Sequence, residues 1–278
     1  MIMKFITSFL LITTTVFSMQ QTLVSCETTK NTPSKMEMIA QAGYKYDKFV
    51  TPAGRVIDLV FIKHGSLMVD IDNYLVYIDP VKMYGNDFSV LPKSDLTLVT
   101  HEHHDHYDKD ALSEISGDKT RLAMAEKVVE THGSGEVLRP NQVVDVKYGD
   151  GKSFTLTAVP AYNNTPEHLK FHPKENGNVG FVFEVDGMRI YVGGDTEDIA
   201  EMNDMKDIDV AFLPVNQPYT MTVEQAENAI EMLREARSAG RPGKLIIYPY
   251  HYGNTDLTPL VEKYKDSPVV EVRVREMQ

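Results

Sequence analysis

Four of the nine histidines in this chain fall within six residues, in the run His101-Glu102-His103-His104-Asp105-His106. Imidazole and carboxylate groups together are good ligands for Zn²⁺, and Mn²⁺ and Fe accept them as well. Donors packed this tightly cannot all converge on one tetrahedral ion, so the spacing favours two ions side by side, about 3.5–4 Å apart. The alternative interpretation is a solvated, His-rich loop without a ligand.

The pattern His-x-His-x-Asp-His resembles the signature of the metallo-β-lactamase superfamily. That resemblance implies that His101 and His103 bind one metal ion, and that Asp105 and His106 bind a second. Glu102 and His104 then occupy the variable positions of the motif, and we expect His104 to face solvent or to lie behind the ligands.

Two later motifs stand in the order that the same superfamily requires. Gly193-Gly194-Asp195-Thr196 matches its Gly-Asp-Thr, which implies that Asp195 bridges the two ions. Pro249-Tyr250-His251 matches its terminal Pro-x-His, which implies that His251 is the last ligand of the second ion. An ordinary turn aspartate and a structural histidine at a strand end are the alternatives for these two residues.

The third histidine of the first ion is displaced in this sequence. Most members of the superfamily carry it at the end of the strand that here reads Thr157–Asn163, where this chain has no histidine. The following stretch, Phe171-His172-Pro173-Lys174, resembles the lactonase-like branch and implies that His172 is the ligand. His168 is the second candidate, and Asn163 as a weak ligand is the third.

Two further residues match supporting positions of the family. Asp79, which follows a short strand, corresponds to a carboxylate that accepts a hydrogen bond from a ligand imidazole, and such partners fix the ring's tautomer. His64, in Lys63-His64-Gly65-Ser66, resembles a Gly-His-Ala/Ser stretch of the lactonase-like branch and could line the pocket. A turn residue and a structural histidine are the respective alternatives.

The chain around these motifs alternates short apolar runs with helical stretches. The apolar run Leu96–Val99 predicts a buried strand directly before the histidine cluster. Asp186-Gly187 predicts a hairpin turn, and Thr222 with Gln225 predicts a capping box that opens a helix. The predicted strands are Val56–Ile71 (two runs split by Lys63-His64-Gly65), Tyr74–Ile78, Leu96–Val99, Ser153–Val159, Val179–Val185, Met188–Val192, Val210–Val215, Leu245–Tyr248 and Val269–Val274; the predicted helices are Lys109–Ser116, Leu122–His132 and Thr222–Ala236. The family resemblance, which covers residues 45–278, implies an α/β fold, a four-layer αββα sandwich of two mixed β-sheets with outer helices and the metals at one edge.

The N-terminus carries a different signal. Lys4 precedes a short apolar stretch, and Leu23-Val24-Ser25-Cys26 resembles a bacterial lipobox. We therefore expect a lipoprotein signal peptide over residues 1–25, a lipidated Cys26 with a tether over 26–44, and a hydrolase domain over 45–278. Within the tether, a short helix over part of Met36–Ala42 is the alternative to an extended chain. The expected location is the bacterial cell envelope, lipid-anchored and facing the periplasm or the surface. An unlipidated cysteine in a cleaved leader is the alternative.

These observations predict a metal-dependent hydrolase. The 278 residues carry a formal charge of −12 and 42% hydrophobic residues, which is typical of a globular domain and argues against a nucleic-acid partner. Two divalent ions, zinc first and Mn or Fe as alternatives, would turn a bridging water into hydroxide, with Asp105 and Asp195 as catalytic carboxylates. The lactonase-like resemblance favours a small ester, lactone or amide as substrate. A phosphodiesterase is the alternative enzyme, β-lactam hydrolysis is less favoured, and a non-enzymatic metal-binding lipoprotein is the alternative of another class. The sequence gives no indication of the oligomeric state.

Overall fold

The computed structural model describes residues 33–277. The predictions for the leader (1–25), for Cys26 and for the tether up to residue 32 lie outside these residues. The described chain forms helices α1 (Lys35–Gln41), α2 (Lys109–Ile115), α3 (Glu126–His132), α4 (Val223–Glu235) and α5 (Thr258–Tyr264). Its strands are β1 (Lys45–Val50), β2 (Val56–Lys63), β3 (Ser66–Ile71), β4 (Tyr74–Ile78), β5 (Leu96–Val99), β6 (Arg121–Ala125), β7 (Glu136–Leu138), β8 (Val143–Tyr148), β9 (Lys152–Pro160), β10 (Val179–Val185), β11 (Met188–Val192), β12 (Val210–Pro214), β13 (Leu245–Tyr250) and β14 (Val270–Val272).

The strands form two mixed sheets of seven, ordered β1-β2-β3-β4-β5-β6-β7 and β14-β13-β12-β11-β10-β9-β8. Both sheets follow one plan. Four antiparallel strands come first (β1 to β4, β8 to β11), and three strands in parallel register follow (β5 to β7, β12 to β14). The second half of the chain therefore repeats the topology of the first, a relation that the sequence alone does not establish.

The main core lies between the two sheets, because alternate residues of each strand point to opposite faces. Phe61 of β2 and Phe212 of β12 meet across it with ring centroids 6.1 Å apart. The other face of β2 carries Val60 into a second core with Ile39 of α1 and Ile115 of α2. Helices thus cover the outside of the sheets, and the expected αββα arrangement of two mixed sheets is confirmed.

The predicted elements agree with the structure except for one helix, whereas β1, β7, β8 and α5 have no counterpart among the predictions. The hairpin over Asp186-Gly187 and the helix capped by Thr222 are present. The prediction of one helix over Leu122–His132 is wrong for its first part, since residues up to Ala125 form β6 and only Glu126–His132 is helical. Pairing with β5 and burial against the core outweigh the helical propensity of these side chains.

Helix α1 covers residues that the sequence assigned to a tether. Ser34 caps it with a capping box, and Ile39 is completely buried. This part of the chain is therefore packed against the first sheet. Among the described helices, none has the length and apolar character needed to cross a membrane.

Candidate metal centre

The histidine cluster occupies the loop that leaves the end of β5. The loop is tightly turned, because the N–H groups of His106 and Tyr107 both donate to the carbonyl of His103 (2.9 and 2.8 Å). This turn directs His101 and His106 inward, where both are completely buried, and leaves His104 exposed. The position of His104 matches the expectation from the motif.

Three histidines form a first set of donor atoms. Nδ1 of His103 lies 3.1 Å from Nε2 of His101 and 3.2 Å from Nε2 of His172. A tetrahedral zinc site with bonds of about 2.0–2.1 Å separates its ligand atoms by about 3.3 Å. Nδ1 of His103 therefore already stands at the spacing of zinc ligands from the other two nitrogens, and all three lie within 4.8 Å of one another.

Asp105, His106 and His251 form a second set on the other side of the loop. Nε2 of His251 lies 3.4 Å from Oδ2 of Asp105, and Nε2 of His106 lies 3.9 Å from the same oxygen. His251 comes from the end of β13, in the other sheet. The loop after β5 and the end of β13, which are far apart in sequence, thus supply one set of donor atoms.

Asp195 lies between the two sets, at the end of β11. Its Oδ2 is 3.4 Å from Nε2 of both His172 and His251, and its Oδ1 is 3.3 Å from Nε2 of His106. Gly194 before it has a φ of +64°, and a Cβ there would stand 2.9 Å from a neighbouring carbonyl oxygen. Glycine at this position lets the backbone bring the carboxylate in between the histidines.

A buried carboxylate orients two of the imidazoles. Nδ1–H of His106 donates to Oδ2 of Asp79 (2.7 Å), which also accepts from the hydroxyl of Thr100 (2.7 Å). The same hydroxyl oxygen accepts from Nδ1–H of His101 (2.9 Å). Both rings therefore turn a free Nε2 lone pair toward the centre, as a metal-binding histidine requires.

The displaced histidine is held by a carbonyl group. Nδ1–H of His172 donates to the backbone oxygen of Tyr219 (3.0 Å), and the side-chain amide of Asn163 donates to the same oxygen (2.9 Å). His168 lies outside the cluster, where its Nδ1 contacts the buried carboxylate of Glu197 (2.7 Å). Of the three candidates, only His172 contacts the other donors, and Asn163 supports it through Tyr219.

The electrostatics of the cluster suit bound cations. Burial lowers the pKa of His101 well below its usual value, and the neighbouring His106 adds to this effect. Burial alone would raise the pKa of Asp195, but the imidazoles of His251 and His106 outweigh it and hold that pKa well below the usual range. For His106 burial is likewise outweighed, because the carboxylates of Asp195 and Asp79 raise its pKa well above the usual value. The centre thus combines an ionised carboxylate with one imidazole, that of His101, that resists protonation and one, that of His106, whose protonated form two carboxylates favour.

Unpaired atoms show that these residues fit a metal. Within the described part of the chain, Nε2 of His106, Nε2 of His251 and Oδ1 of Asp195 are buried without a hydrogen-bond partner. Buried polar atoms are rarely left unpaired, because each costs about 1–3 kcal/mol. Coordination of a cation would satisfy all three.

A cavity of about 430 Å³ opens over the centre. Asp105 and Asp195 of the donor sets line this cavity, together with the rings of Tyr84, Phe171 and Tyr219. No lysine or arginine is among the described residues that line it. The cavity has the size of a small-molecule site.

Two facing mixed sheets with a His/Asp cluster at one edge define a metal-dependent hydrolase of the metallo-β-lactamase fold. The family described as "Beta-lactamase superfamily domain" matches residues 58–237. A UPF0173 metal-dependent hydrolase of Pyrococcus abyssi is 30% identical over 192 residues, which is 64% of this chain and 81% of that protein. The chain therefore belongs to the metallo-β-lactamase superfamily and, within it, to the UPF0173 metal-dependent hydrolase family.

Other relatives agree with this assignment. A UPF0173 metal-dependent hydrolase of Thermus thermophilus is 29% identical over 209 residues, 71% of this chain and 84% of that protein. A crystal structure of a metal-dependent hydrolase from Parabacteroides distasonis is 43% identical, with a TM-score of 0.75, and the alignment covers 84% of this chain and all of that one. Igni18, a metallo hydrolase of Ignicoccus hospitalis, shares the fold at 22% identity and a TM-score of 0.59, over 80% of this chain and 95% of that one.

Sequence reasoning missed three supporting groups: the hydroxyl of Thr100, the carboxylate of Glu197 and the carbonyl of Tyr219. The first two stand next to motifs, one residue before His101 and two after Asp195, which is the signal that could have found them. A backbone carbonyl leaves no such signal, because every residue has one.

Proposed function

We propose that this protein binds two divalent metal ions, zinc first among them, and hydrolyses a small ester, lactone or amide. The observation that carries the proposal is the pair of donor sets, His101/His103/His172 and Asp105/His106/His251, that meet at Asp195 beneath one cavity. Ions bound there would supply a water activated at neutral pH and would polarise the carbonyl to be attacked.

The protein groups have separate tasks in this proposal. Asp195 is buried between the sets and holds them together. Asp105 also lines the cavity, where Nε2 of His64 (3.1 Å) and of His251 (3.4 Å) lie next to its Oδ2. We assign to Asp105 the proton transfer that accompanies departure of the leaving group, since its side chain is 21% exposed to the substrate space, whereas that of Asp195 is 3% exposed.

The cavity lining supports an acyl substrate over a phosphodiester. A phosphodiester carries a negative charge, and proteins bind such groups with arginine, lysine or helix N-termini. Here the sides are the aromatic rings of Tyr84, Phe171 and Tyr219. The resemblance to the lactonase-like branch supports the same choice.

Metal content and turnover test the proposal together. We expect about two Zn, Mn or Fe per chain of purified protein by elemental analysis, and chelator-sensitive hydrolysis of p-nitrophenyl acetate or a γ-lactone. Asp195→Ala should lose turnover and metal. Asp58→Asn, which changes a buried carboxylate paired with Lys48 (2.9 Å), is the matched control and should keep both. Full activity and full metal in Asp195→Ala would refute the two-metal assignment, and cleavage of bis(p-nitrophenyl) phosphate alone would make the protein a phosphodiesterase.

We also propose that the protein is anchored in the bacterial cell envelope by lipid on Cys26. The support is the lipobox-like sequence Leu23-Val24-Ser25-Cys26 behind a short apolar stretch. Metabolic labelling with an alkyne fatty acid should mark the wild-type protein and leave Cys26→Ser unmarked. Equal labelling of the two, or none in either, would contradict the anchor.

A further inference from the structure

The turn between β2 and β3 brings one more histidine to the second donor set. Nε2 of His64 lies 3.1 Å from Oδ2 of Asp105, and within 4.8 Å of a ring nitrogen of His106 and of His251. We infer that His64 is a fourth protein ligand of the ion held by Asp105, His106 and His251. The inference rests on the proposed function, since it assumes that an ion binds there.

The backbone of His64 is fixed from both sides. Its φ of +55° lies in the left-handed region, which non-glycine residues seldom adopt. Its N–H donates to the carbonyl of Met277 (2.6 Å), and its own carbonyl accepts from the N–H of His251 (3.2 Å). Such a conformation persists only where surrounding contacts impose it, and such positions cluster at functional sites. The C-terminal residues and the end of β13 together impose it here.

The side chain of His64 is equally confined. Its ring lies between those of His251 and Tyr84, with centroid distances of 3.7 and 4.4 Å. The ring therefore cannot swing away from Asp105 without displacing a neighbour. Its Nε2 is aimed at the same carboxylate oxygen that Nε2 of His251 approaches at 3.4 Å.

The next residue shows that the turn is shaped around the centre. A Cβ on Gly65 would stand 2.7 Å from Cε1 of His106, closer than real Cβ contacts allow. The register between β2 and β3 also shifts between Phe61 and Lys63, directly before the turn. The bulge and the glycine allow the turn to close onto the imidazole of His106.

The repeated topology of the two sheets supports the same role. His172 lies in the connection between β9 and β10, the second and third strands of the second sheet. His64 lies in the connection between β2 and β3, which are the second and third strands of the first. Equivalent connections thus deliver one histidine each, His172 to the first donor set and His64 to the second. Each set then has three imidazoles, with Asp195 between them.

The test is a stepwise Zn²⁺ titration against a chromophoric chelator, with Co²⁺ absorption as a second readout. His64→Phe keeps a ring between Tyr84 and His251 but removes the nitrogen. We expect the affinity for one of the two ions to fall at least tenfold, the other to stay unchanged, and the Co²⁺ spectrum to change. His172→Phe should instead lower the affinity for the other ion, so that the double variant has a lowered affinity for both ions.

His132→Phe is the control, because that imidazole contacts Tyr107 (3.1 Å) outside the donor sets, and it should leave both affinities unchanged. If His64→Phe does not fold, His64→Gln keeps a polar group of similar reach and should weaken the same ion by a smaller factor. Unchanged affinities for both ions in a folded His64 variant would overturn the inference, and so would an equal loss at both. Wild-type protein that binds fewer than two ions would instead refute the proposed function.

Discussion

The buried carboxylate of Glu197 joins the first half of the loop that carries His172 to the chain that follows Asp195, which makes its effect on metal binding predictable. Glu197 is completely buried. Its Oε2 accepts two backbone N–H groups of the loop, from Asn164 (2.8 Å) and Thr165 (2.6 Å), and its Oε1 accepts Nδ1–H of His168 (2.7 Å). Removing this carboxylate should loosen the loop and with it the third histidine of the first donor set, whose imidazole then keeps its bond to the carbonyl of Tyr219.

The size of the effect follows from these three hydrogen bonds. Each contributes a net of about 0.5–1.5 kcal/mol, so Glu197→Ala loses about 1.5–4.5 kcal/mol of loop stabilisation. At about 1.4 kcal/mol for each factor of ten, the affinity for the first ion should fall by about ten-fold to somewhat over a thousand-fold if the whole loss opens the loop. Glu197→Gln should lose less, because its amide oxygen still accepts the two backbone N–H groups.

Competition titration with Zn²⁺ measures the affinity for each of the two ions. Trypsin sensitivity at the exposed Lys170 reports loop opening independently. We expect one weakened ion, one unchanged ion and faster cleavage in Glu197→Ala. The matched control, Asp58→Asn, removes a buried carboxylate of the first sheet and should leave both ions unchanged. A folded Glu197→Ala protein that binds both ions as tightly as wild type would refute the reasoning.

The remaining predictions concern a glycine, a core ring and an ion pair. Gly65→Ala should lower the affinity for one metal ion at least tenfold, because the added Cβ pushes against His106. Gly117→Ala, whose Cβ has only ordinary contacts, should leave that affinity unchanged. Equal Zn²⁺ affinities in the two variants would contradict this. Phe212→Ala should lower the free energy of unfolding by about 3–5 kcal/mol in urea titrations, because its ring is 1% exposed and stacks within the core; a loss below about 1 kcal/mol would be inconsistent with that packing. Hydrogen bonds from Arg55 hold the pKa of Asp186 below its usual value. The stabilisation by this ion pair is therefore complete above the unfolded-state pKa of about 3.9 and is lost as the pH falls through the folded-state pKa. Asp186→Asn should therefore melt below wild type at pH 7, and the two melting temperatures should converge as the pH falls through the folded-state pKa of Asp186; a constant difference would exclude the linkage.

The strands could be predicted because their side chains report burial directly. Runs such as Leu96–Val99 and Leu245–Tyr248 are mostly apolar, and both form parallel strands whose side chains are almost all buried. The helix over Leu122–His132 failed at its start because helical propensity is weaker than strand pairing in a buried sheet. Strand β1 escaped prediction for a related reason: its partly exposed face alternates too weakly to signal a strand.

The sequence by itself determined which chemical groups the site contains. The cluster at 101–106, Asp195 and His251 were each recognised from local motifs, since a ligand's identity and its place at a strand end are local properties. The structure brings them together, and their binding of metal stays a prediction.

Only the tertiary structure placed His172, and not His168, against the other donor atoms, and only it placed His64 beside Asp105. The physical reason is that these choices depend on contacts between distant segments. His172 is set by the carbonyl of Tyr219, 47 residues away, and His168 by the carboxylate of Glu197, 29 residues away. Backbone carbonyls and the packing of one sheet edge on another leave no pattern in the order of amino acids, so the convergence of the donors is a property of the folded sheets alone.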